Sequence, residues 1–298
     1  MLKIALPLPA DATDPVLPDR AVAAMLARHA VRSLHAELVL HPKPGLVSLH
    51  DNGSHHDMDA STFVRSLFSL RRYYGDIALA GMQQAGFARL RELGIDAERR
   101  MLAATSQVNT HRGAIFALGL LAAAAGHLWQ QRQPASDGAW RQVLTERWAR
   151  ALLVMPAAAV PTHGMQAAAR FRAGGARQQA AQGFPAVFEL ALPALRDAQA
   201  RGAAVQHARL HAFFCILAEL EDTNLLHRGG ADGLVWMRAQ ARGFLDAGSI
   251  WAADWQAHAQ ALHHATCARR LSPGGSADLL AAACLVHAWQ TDREAGLR

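Results

Sequence analysis

The chain has 298 residues, with 30 Lys and Arg against 24 Asp and Glu, and a formal net charge of +6. Hydrophobic residues make up 51% and charged residues 18%, which is typical of a folded globular protein and excludes a disordered one. The basic balance favours anionic ligands, without choosing between phosphorylated small molecules, nucleic acid and a membrane face. Because aromatic residues make up only 6% and no helix collects a continuous basic face, we expect no nucleic-acid partner.

Targeting and membrane signals are weak in this sequence. The three cysteines are widely spaced and form no CxxC pair, so neither a zinc knuckle nor a disulfide framework is expected. Pro7 and Pro9 interrupt the short apolar start, which is not the pattern of a secretory signal. The longest uncharged apolar run, 114–126, is shorter than the roughly 20 residues of a membrane-spanning helix. We therefore expect a cytoplasmic protein with no membrane partner.

The apolar pattern predicts an all-α fold. Residues 1–18 contain four prolines and no period, and are predicted to form an extended lead-in. From 19 to 298 we expect a single helical catalytic domain of about ten helices, because apolar residues recur at three- and four-residue steps and alanine is abundant. No alternating β-branched run predicts a strand. The first helix is predicted from Pro18 onward and is stopped by Pro42, Pro44 and Gly45. Others are predicted near 59–74, 76–93, 110–131, 138–154, 163–182, 185–200, 206–227, 231–246, 251–270 and 275–291.

The connection after the first predicted helix is rich in polar groups. It contains Lys43 in a Pro-Gly turn and then Asp57 and Asp59, two residues apart. One of these aspartates can cap the next helix. Since a cap needs only one acceptor, the pair also indicates Mg²⁺, which prefers oxygen ligands.

Two other predicted helices begin with a Thr-His pair. The first carries His111 and Arg112 in its first turn, where the helix macrodipole disfavours a cation unless an anion is bound there. The alternative is that Asn109 or Thr110 only caps the helix. The second begins at His163, after Thr162.

The last two polar connections lie in the C-terminal third. Glu221 and Asp222 are predicted late in the helix 206–227, which places them either at a solvated edge or beside a cation. The segment 272–278 has Ser276 as a candidate N-cap and Asp278 in a position that favours the dipole of the last helix. Gly-Gly before it would also let backbone N–H groups approach a phosphate, although no P-loop pattern is present.

Several of these segments together resemble a known family. They are PKPGLV (42–47), NGSHHDMD (52–59), NTHRGAIFALG (109–119), THG (162–164), GARQQAAQGFP (175–185), EDTNLLHRGG (221–230) and SPGGSADLLA (272–281). They occur in the order seen in the triphosphoribosyl-dephospho-CoA synthases that accompany citrate lyase and malonate decarboxylase. The similarity covers about residues 22–290. The amino-acid sequences of the early segments are closer to those of the malonate decarboxylase branch. Ser48 and Gln179 stand where relatives tend to carry acids, so neither is given an acid or metal role.

The resemblance implies an all-α enzyme that uses ATP and 3′-dephospho-CoA. The 2′-hydroxyl of the dephospho-CoA ribose would displace adenine from the ATP ribose, and the triphosphate would stay attached. The product would pass to a transferase that acts on an acyl carrier protein. Because the β bond of ATP becomes an α bond, the reaction inverts C1 and indicates a single displacement.

The motifs then supply a set of candidate site residues. The cofactor is expected to be Mg²⁺, bound by Asp57, Asp59 and Asp222. The general base is expected to be Glu37 or Asp57. The candidates for phosphate binding are Lys43, His111, Arg112, His163, Arg177, Arg228, Gly274, Gly275 and Ser276.

Two rival functions remain at this point. A magnesium-dependent helical hydrolase of nucleotides or ADP-ribosyl groups would use the same aspartates with water as the nucleophile. A non-enzymatic helical adaptor would not need the acidic and glycine-rich connections.

Overall fold

The computed structural model describes residues 17–154 and 162–297. Within these ranges the chain forms helices and no strand, which confirms the all-α prediction. The predicted lead-in, 1–18, lies outside the described residues except for its last two. The helices are α1 (Asp19–Leu38), α2 (Ala60–Ser69), α3 (Arg71–Met82), α4 (Phe87–Ala104), α5 (Arg112–Gln130), α6 (Asp137–Val143), α7 (Ala149–Val154), α8 (His163–Phe171), α9 (Gly175–Ala181), α10 (Leu192–Ala200), α11 (Val205–Glu219), α12 (Thr223–Asp246), α13 (Trp255–Ala268) and α14 (Gly274–Glu294). π-helical turns at Leu144–Trp148 and Ala186–Ala191 lead into α7 and α10, and a 3₁₀ turn at Ser249–Trp251 precedes α13.

Helix α5 forms the centre of the core and packs against α1, α3 and α14. A glycine on each helix allows backbone-to-backbone contact between α3 and α5: a Cβ on Gly81 of α3 would lie 1.9 Å from the carbonyl oxygen of Ala123, and one on Gly126 of α5 would lie 2.2 Å from that of Ala78. Among the described residues, α5 is the one helix long and apolar enough to cross a membrane. Most of its length is buried inside the protein, as expected of a core helix.

The helix boundaries between 59 and 104 differ from the prediction. Helix α2 ends at Ser69 and α3 begins directly after Leu70, so the predicted break between 74 and 76 does not exist. The chain turns at Leu70, between α2 and α3, and again at 83–86, between α3 and α4, where Gln84 adopts a positive φ of 56°. The apolar period continues across both points, and a period alone does not show where the chain turns.

The predicted helix 206–227 is two helices. Helix α11 ends at Glu219, and Asp222 is the N-cap of α12. The predicted gap before 231 is a break within α12, where Gly230 has φ 63° and ψ −163°. The predicted helix 163–182 also divides, because Arg172 adopts the left-handed conformation that ends α8.

Candidate active site

A cleft of about 1280 Å³ lies where five helices begin. Its walls include the first or second residue of each of α5, α8, α9, α12 and α14. The opposite walls come from the end of α1, the connection after it, and α2 to α4. Because the first N–H groups of a helix have no partner within the helix and carry the positive end of its dipole, the arrangement favours an anionic ligand.

Most of the predicted phosphate-binding residues lie on this cleft. They are His111, Arg112, His163, Arg177, Arg228, Gly274 and Gly275. Arg91, His55 and His227 also line it, although the sequence analysis did not select them. The imidazole rings of His163 and His227 stack, with centroids 4.2 Å apart and planes inclined by 13°.

Arg112 is the first residue of α5 and forms an ion pair with Glu98 of α4, which also lines the cleft. The Glu98 carboxylate therefore compensates the positive charge that the sequence pattern placed at a helix start. The guanidinium is held on the wall of the cleft by this pair.

His111, the N-cap residue of α5, is buried and neutral. Burial, and secondarily the charge of Lys43, lowers the pKa of His111 to about 3. This removes the unfavourable positive charge that the sequence analysis placed beside the macrodipole. Its Nδ1 lies 2.6 Å from Ser66 Oγ, which accepts a hydrogen bond from Thr110 at 2.7 Å. With Ser66 donating to Nδ1, the hydrogen is on Nε2, which has no partner among the described residues.

Lys43 does not line the cleft, which corrects its predicted role as a phosphate ligand. Its buried ammonium donates to the carbonyl oxygen of Glu37 at 2.5 Å and to the Glu37 carboxylate. Burial lowers the pKa of Lys43, and Glu37 opposes that change. Glu37 itself lines the cleft, so Lys43 orients the carboxylate that was predicted as a base.

The two aspartates of the first polar connection have different environments. Asp59 caps α2: its Oδ1 accepts from the N–H and hydroxyl of Thr62 and from the hydroxyl of Ser61, each at 2.8 Å. These hydrogen bonds, above all the one from the Thr62 N–H, lower the pKa of Asp59 to about 2. Asp57 lines the cleft, with 63% of its side chain exposed, and its carboxylate lies 3.7 Å from His55 Nδ1.

Asp222 joins the beginnings of two helices beneath the cleft. Its Oδ1 accepts from the Asn224 N–H of α12 at 2.9 Å, and its Oδ2 accepts from the N–H and hydroxyl of Ser276 of α14 at 2.8 and 3.0 Å. A Cβ on Gly275 would lie 3.0 Å from Asp222 Oδ1, so a glycine permits this approach. The predicted phosphate contact of Ser276 is corrected, because both of its donors bind Asp222.

The structure does not assemble the three predicted metal ligands. Within the described ranges, no group of three or more His, Cys, Asp or Glu side chains could hold a metal ion. The oxygens of Asp222 are engaged by helix N–H groups, and Asp59 does not line the cleft. Of the three predicted ligands, Asp57 is the one that lines the cleft, and its exposed carboxylate suits Mg²⁺ bound mainly through phosphates and waters.

Arg228 ties the first polar connection to the C-terminal helices. Its guanidinium donates to the carbonyl oxygens of Ser54 and Arg270 and to His55 Nδ1, each at 3.2 Å. The Nε2 of His55 lies 2.9 Å from Ser272 Oγ. Burial and the neighbouring Arg228 lower the pKa of His55 to about 4, which fits a neutral ring that accepts from Arg228. Arg228 therefore shapes the cleft as well as lining it.

Asp278 is a site residue that the sequence analysis missed. It lines the cleft and also a smaller cavity of about 320 Å³ beside it. Its carboxylate accepts from the Ala114 N–H of α5, and a Cβ on Gly113 would lie 2.0 Å from its Oδ2. Burial, then the charges of Glu37 and Asp222, raise the pKa of Asp278 well above its usual value. In the sequence it was assigned to the dipole of α14, and nothing there shows that α5 lies against it.

The chain is similar in sequence to several known proteins. The chain is 34% identical over 262 residues to a protein of Acinetobacter calcoaceticus, across 86% of this chain and 90% of the relative. It is 42% identical over 264 residues to one of Stutzerimonas stutzeri (86% and 89%), and 40% identical over 279 residues to one of Pseudomonas fluorescens (90% and 92%). Each of these relatives is named a probable 2-(5''-triphosphoribosyl)-3'-dephosphocoenzyme-A synthase.

No solved structure matches the chain significantly. The model of the ATP:dephospho-CoA triphosphoribosyl transferase (CitG) family matches residues 23–296, which include all of the cleft residues described above. The chain is therefore a transferase that belongs to the ATP:dephospho-CoA triphosphoribosyl transferase family.

Proposed function

We propose that the protein transfers the 5-triphosphoribosyl group of ATP to the ribose 2′-hydroxyl of 3′-dephospho-CoA and releases adenine. The observation that supports this most is the cleft at which five helices begin, with arginines and histidines on its walls. Its volume of about 1280 Å³ exceeds the usual upper range for a single small ligand, about 1,000 Å³, and suits two nucleotide substrates.

The triphosphate of ATP is assigned to the helix N-termini. Their N–H groups and dipoles favour phosphate, and Arg112, Arg177 and Arg228 supply charge-assisted hydrogen bonds nearby. The Nε2–H of His111 is a neutral donor on the same wall. Neutral and charged donors together would hold the triphosphate in one position while the base departs.

The glycosidic bond is assigned to the acidic side of the cleft. Breaking an N-glycosidic bond builds positive charge on the ribose ring, and nearby carboxylates stabilise that charge. Glu37, held by Lys43, is the proposed base that accepts the proton of the attacking 2′-hydroxyl. A positioned base contributes about 10²–10⁴-fold, and alignment of the two riboses about 7–11 kcal/mol of the barrier.

Magnesium has a limited place in this proposal. The exposed Asp57 would hold the ion together with the substrate's phosphates. When bound, Mg²⁺ would neutralise part of the triphosphate charge. Asp59 and Asp222 have structural partners and are not assigned to the metal.

The product is the precursor of a prosthetic group on an acyl carrier protein, and a second transferase would attach it. The amino-acid sequences of the first motifs favour the malonate decarboxylase system over citrate lyase. We propose that this chemistry takes place in the cytoplasm.

The proposal is tested with the purified protein, ATP, Mg²⁺ and 3′-dephospho-CoA. Adenine release should require dephospho-CoA and equal its consumption. Glu37→Gln should lower the rate about 10²–10⁴-fold, whereas Glu146→Gln, at an exposed position that lines neither cavity in the described ranges, should match the wild type. Adenine release without the acceptor, or production of ADP or AMP, would instead support the hydrolase.

A further inference from the structure

A second cavity of about 320 Å³ adjoins the cleft. It lies between α9, the turn before α10, the end of α11 and the beginning of α14. It shares seven lining residues with the larger cleft, and these mark the junction between the two spaces: Gly113, Gly174, Gly175, Ala176, Thr223, Gly275 and Asp278.

The two spaces differ in charge. Among the described residues, no Lys, Arg or His lines the smaller cavity, whereas Glu189, Glu219, Glu221, Asp222 and Asp278 do. The larger cleft has arginines and histidines on its walls. Glu189 is paired with Arg141, and Glu219 with Arg238 and Arg242, so part of this acidic charge is compensated. Because no cationic side chain among the described residues lines the smaller cavity, it suits an uncharged part of the substrate better than a triphosphate.

The other lining groups of the smaller cavity suit a flat, neutral heterocycle. Phe184, Leu190 and Leu279 supply apolar surface, and Gln178, Gln179 and Gln182 supply amides. The side-chain Oε1 of Gln179 accepts from the Ala186 N–H at 3.2 Å, which leaves the side-chain NH₂ group as a donor. Adenine presents both ring-nitrogen acceptors and an amino donor at its edges, and it needs both kinds of partner.

We propose that the smaller cavity binds the adenine that leaves ATP and that Asp278 is the catalytic acid that gives this base a proton. The inference rests on the proposed function. With the base in the smaller cavity and the triphosphate in the larger cleft, the ribose and its bond to the base lie at the junction. Asp278 is the carboxyl that lines both spaces there.

The charged neighbours of Asp278 favour its protonated form. Glu37 of α1 and Asp222 before α12 raise the pKa of Asp278 in addition to the effect of burial, and the hydroxyl of Tyr74 on α3 is also near it. A carboxyl whose environment favours its protonated form is suited to act as a general acid. The Ala114 N–H binds the carboxyl and fixes its position.

The step is balanced as a single displacement. The bond from C1′ to N9 breaks with its electron pair going to adenine, and a purine ring nitrogen takes the proton of Asp278. The 2′-oxygen of dephospho-CoA forms the new bond to C1′, and its proton passes to Glu37. Adenine leaves neutral, and exchange with solvent returns both carboxyls to their starting states.

The subsite is tested by competition with ATP, using free adenine and inorganic tripolyphosphate as separate inhibitors. Leu190→Trp fills the smaller cavity from its half-buried wall, and Val235→Trp is the matched control at an exposed position that lines neither cavity in the described ranges. Leu190→Trp should weaken inhibition by adenine at least about tenfold, equal to about 1.4 kcal/mol, and leave inhibition by tripolyphosphate unchanged. Retained tripolyphosphate inhibition also shows that the variant is folded.

The acid is tested with 7-methyl-ATP, whose base carries a fixed positive charge and leaves neutral without a proton. Asp278→Asn should slow turnover of ATP about 10²–10⁴-fold and slow turnover of 7-methyl-ATP far less. Equal slowing of both substrates, or adenine inhibition unaffected by Leu190→Trp, would overturn the inference. Wild-type protein that releases no adenine from ATP and dephospho-CoA would instead overturn the proposed function itself.

Discussion

Replacing Gly113 by alanine is a direct test of how Asp278 is positioned. The new methyl group would lie 2.0 Å from Asp278 Oδ2 and 3.0 Å from its Cγ. To reach an ordinary van der Waals separation the carboxylate oxygen must move by roughly 1.5 Å. That movement disrupts the hydrogen bond from the Ala114 N–H. The atom displaced is the end of a side chain, so the catalytic geometry changes more than the fold.

The expected magnitudes separate activity from stability. Overpacking costs about 1–3 kcal/mol, and removing a glycine from a helix returns about 0.5–1 kcal/mol. The free energy of unfolding should therefore fall by no more than about 2.5 kcal/mol, which corresponds to a few degrees in Tm. A misplacement of about 1 Å at a reacting group can lower turnover about 10²-fold.

The assay pairs thermal unfolding with adenine release, and Gly138→Ala is the matched control. Gly138 lies in α6, and a Cβ there would meet no atom within 4 Å. This control should keep wild-type turnover and gain up to about 1 kcal/mol of stability. If Gly113→Ala also keeps wild-type turnover, Asp278 has no role that depends on its position.

Three further predictions concern the other buried and acidic groups. Asp222→Asn turns an amide NH₂ toward a buried donor and should cost about 3 kcal/mol in urea unfolding, more than Ser276→Ala, which removes only one hydroxyl bond; equal losses would contradict the assigned contacts. Asp57→Asn should raise the Mg²⁺ concentration needed for half-maximal rate, whereas Asp59→Asn should not, and the opposite order in a magnesium titration would reverse the assignment. His111 has a folded pKa of about 3, below the value of about 6.5 in unfolded chains, so its contribution to stability is present above pH 6.5 and lost as pH falls toward 3. His111→Gln should therefore flatten the fall of unfolding free energy between pH 6.5 and 4, and an unchanged slope in urea titrations would contradict this.

The fold class was predictable because helix periodicity and alanine content are local properties of the chain. Helix boundaries were less predictable than the fold class where the apolar period continues across a turn, as it does at Leu70. The break after Glu219 changed the interpretation most, because it turns Asp222 from an acid late in one helix into the N-cap of the next. A cap depends on where the chain leaves the helix, which a continuous apolar pattern does not show.

The site was predictable in part, since the motifs identified the connections that form the cleft. Their individual roles depend on contacts between residues far apart in sequence. The sequence predicts Lys43 as a phosphate ligand, whereas in the structure its buried ammonium is paired with the Glu37 carboxylate. Asp278 had an adequate local explanation at the start of α14, and only its contact with α5 shows that it lies between two cavities.

The proposed transfer makes one product that hydrolysis cannot make. Mass spectrometry of the acceptor after incubation with ATP and Mg²⁺ tests this most directly, with the 2′-deoxy form of dephospho-CoA as the control acceptor. We expect 3′-dephospho-CoA to gain one triphosphoribosyl group for each adenine released, and the 2′-deoxy form to gain none. An unmodified acceptor together with free ribose triphosphate would contradict the account, because water would then be the nucleophile in the cleft.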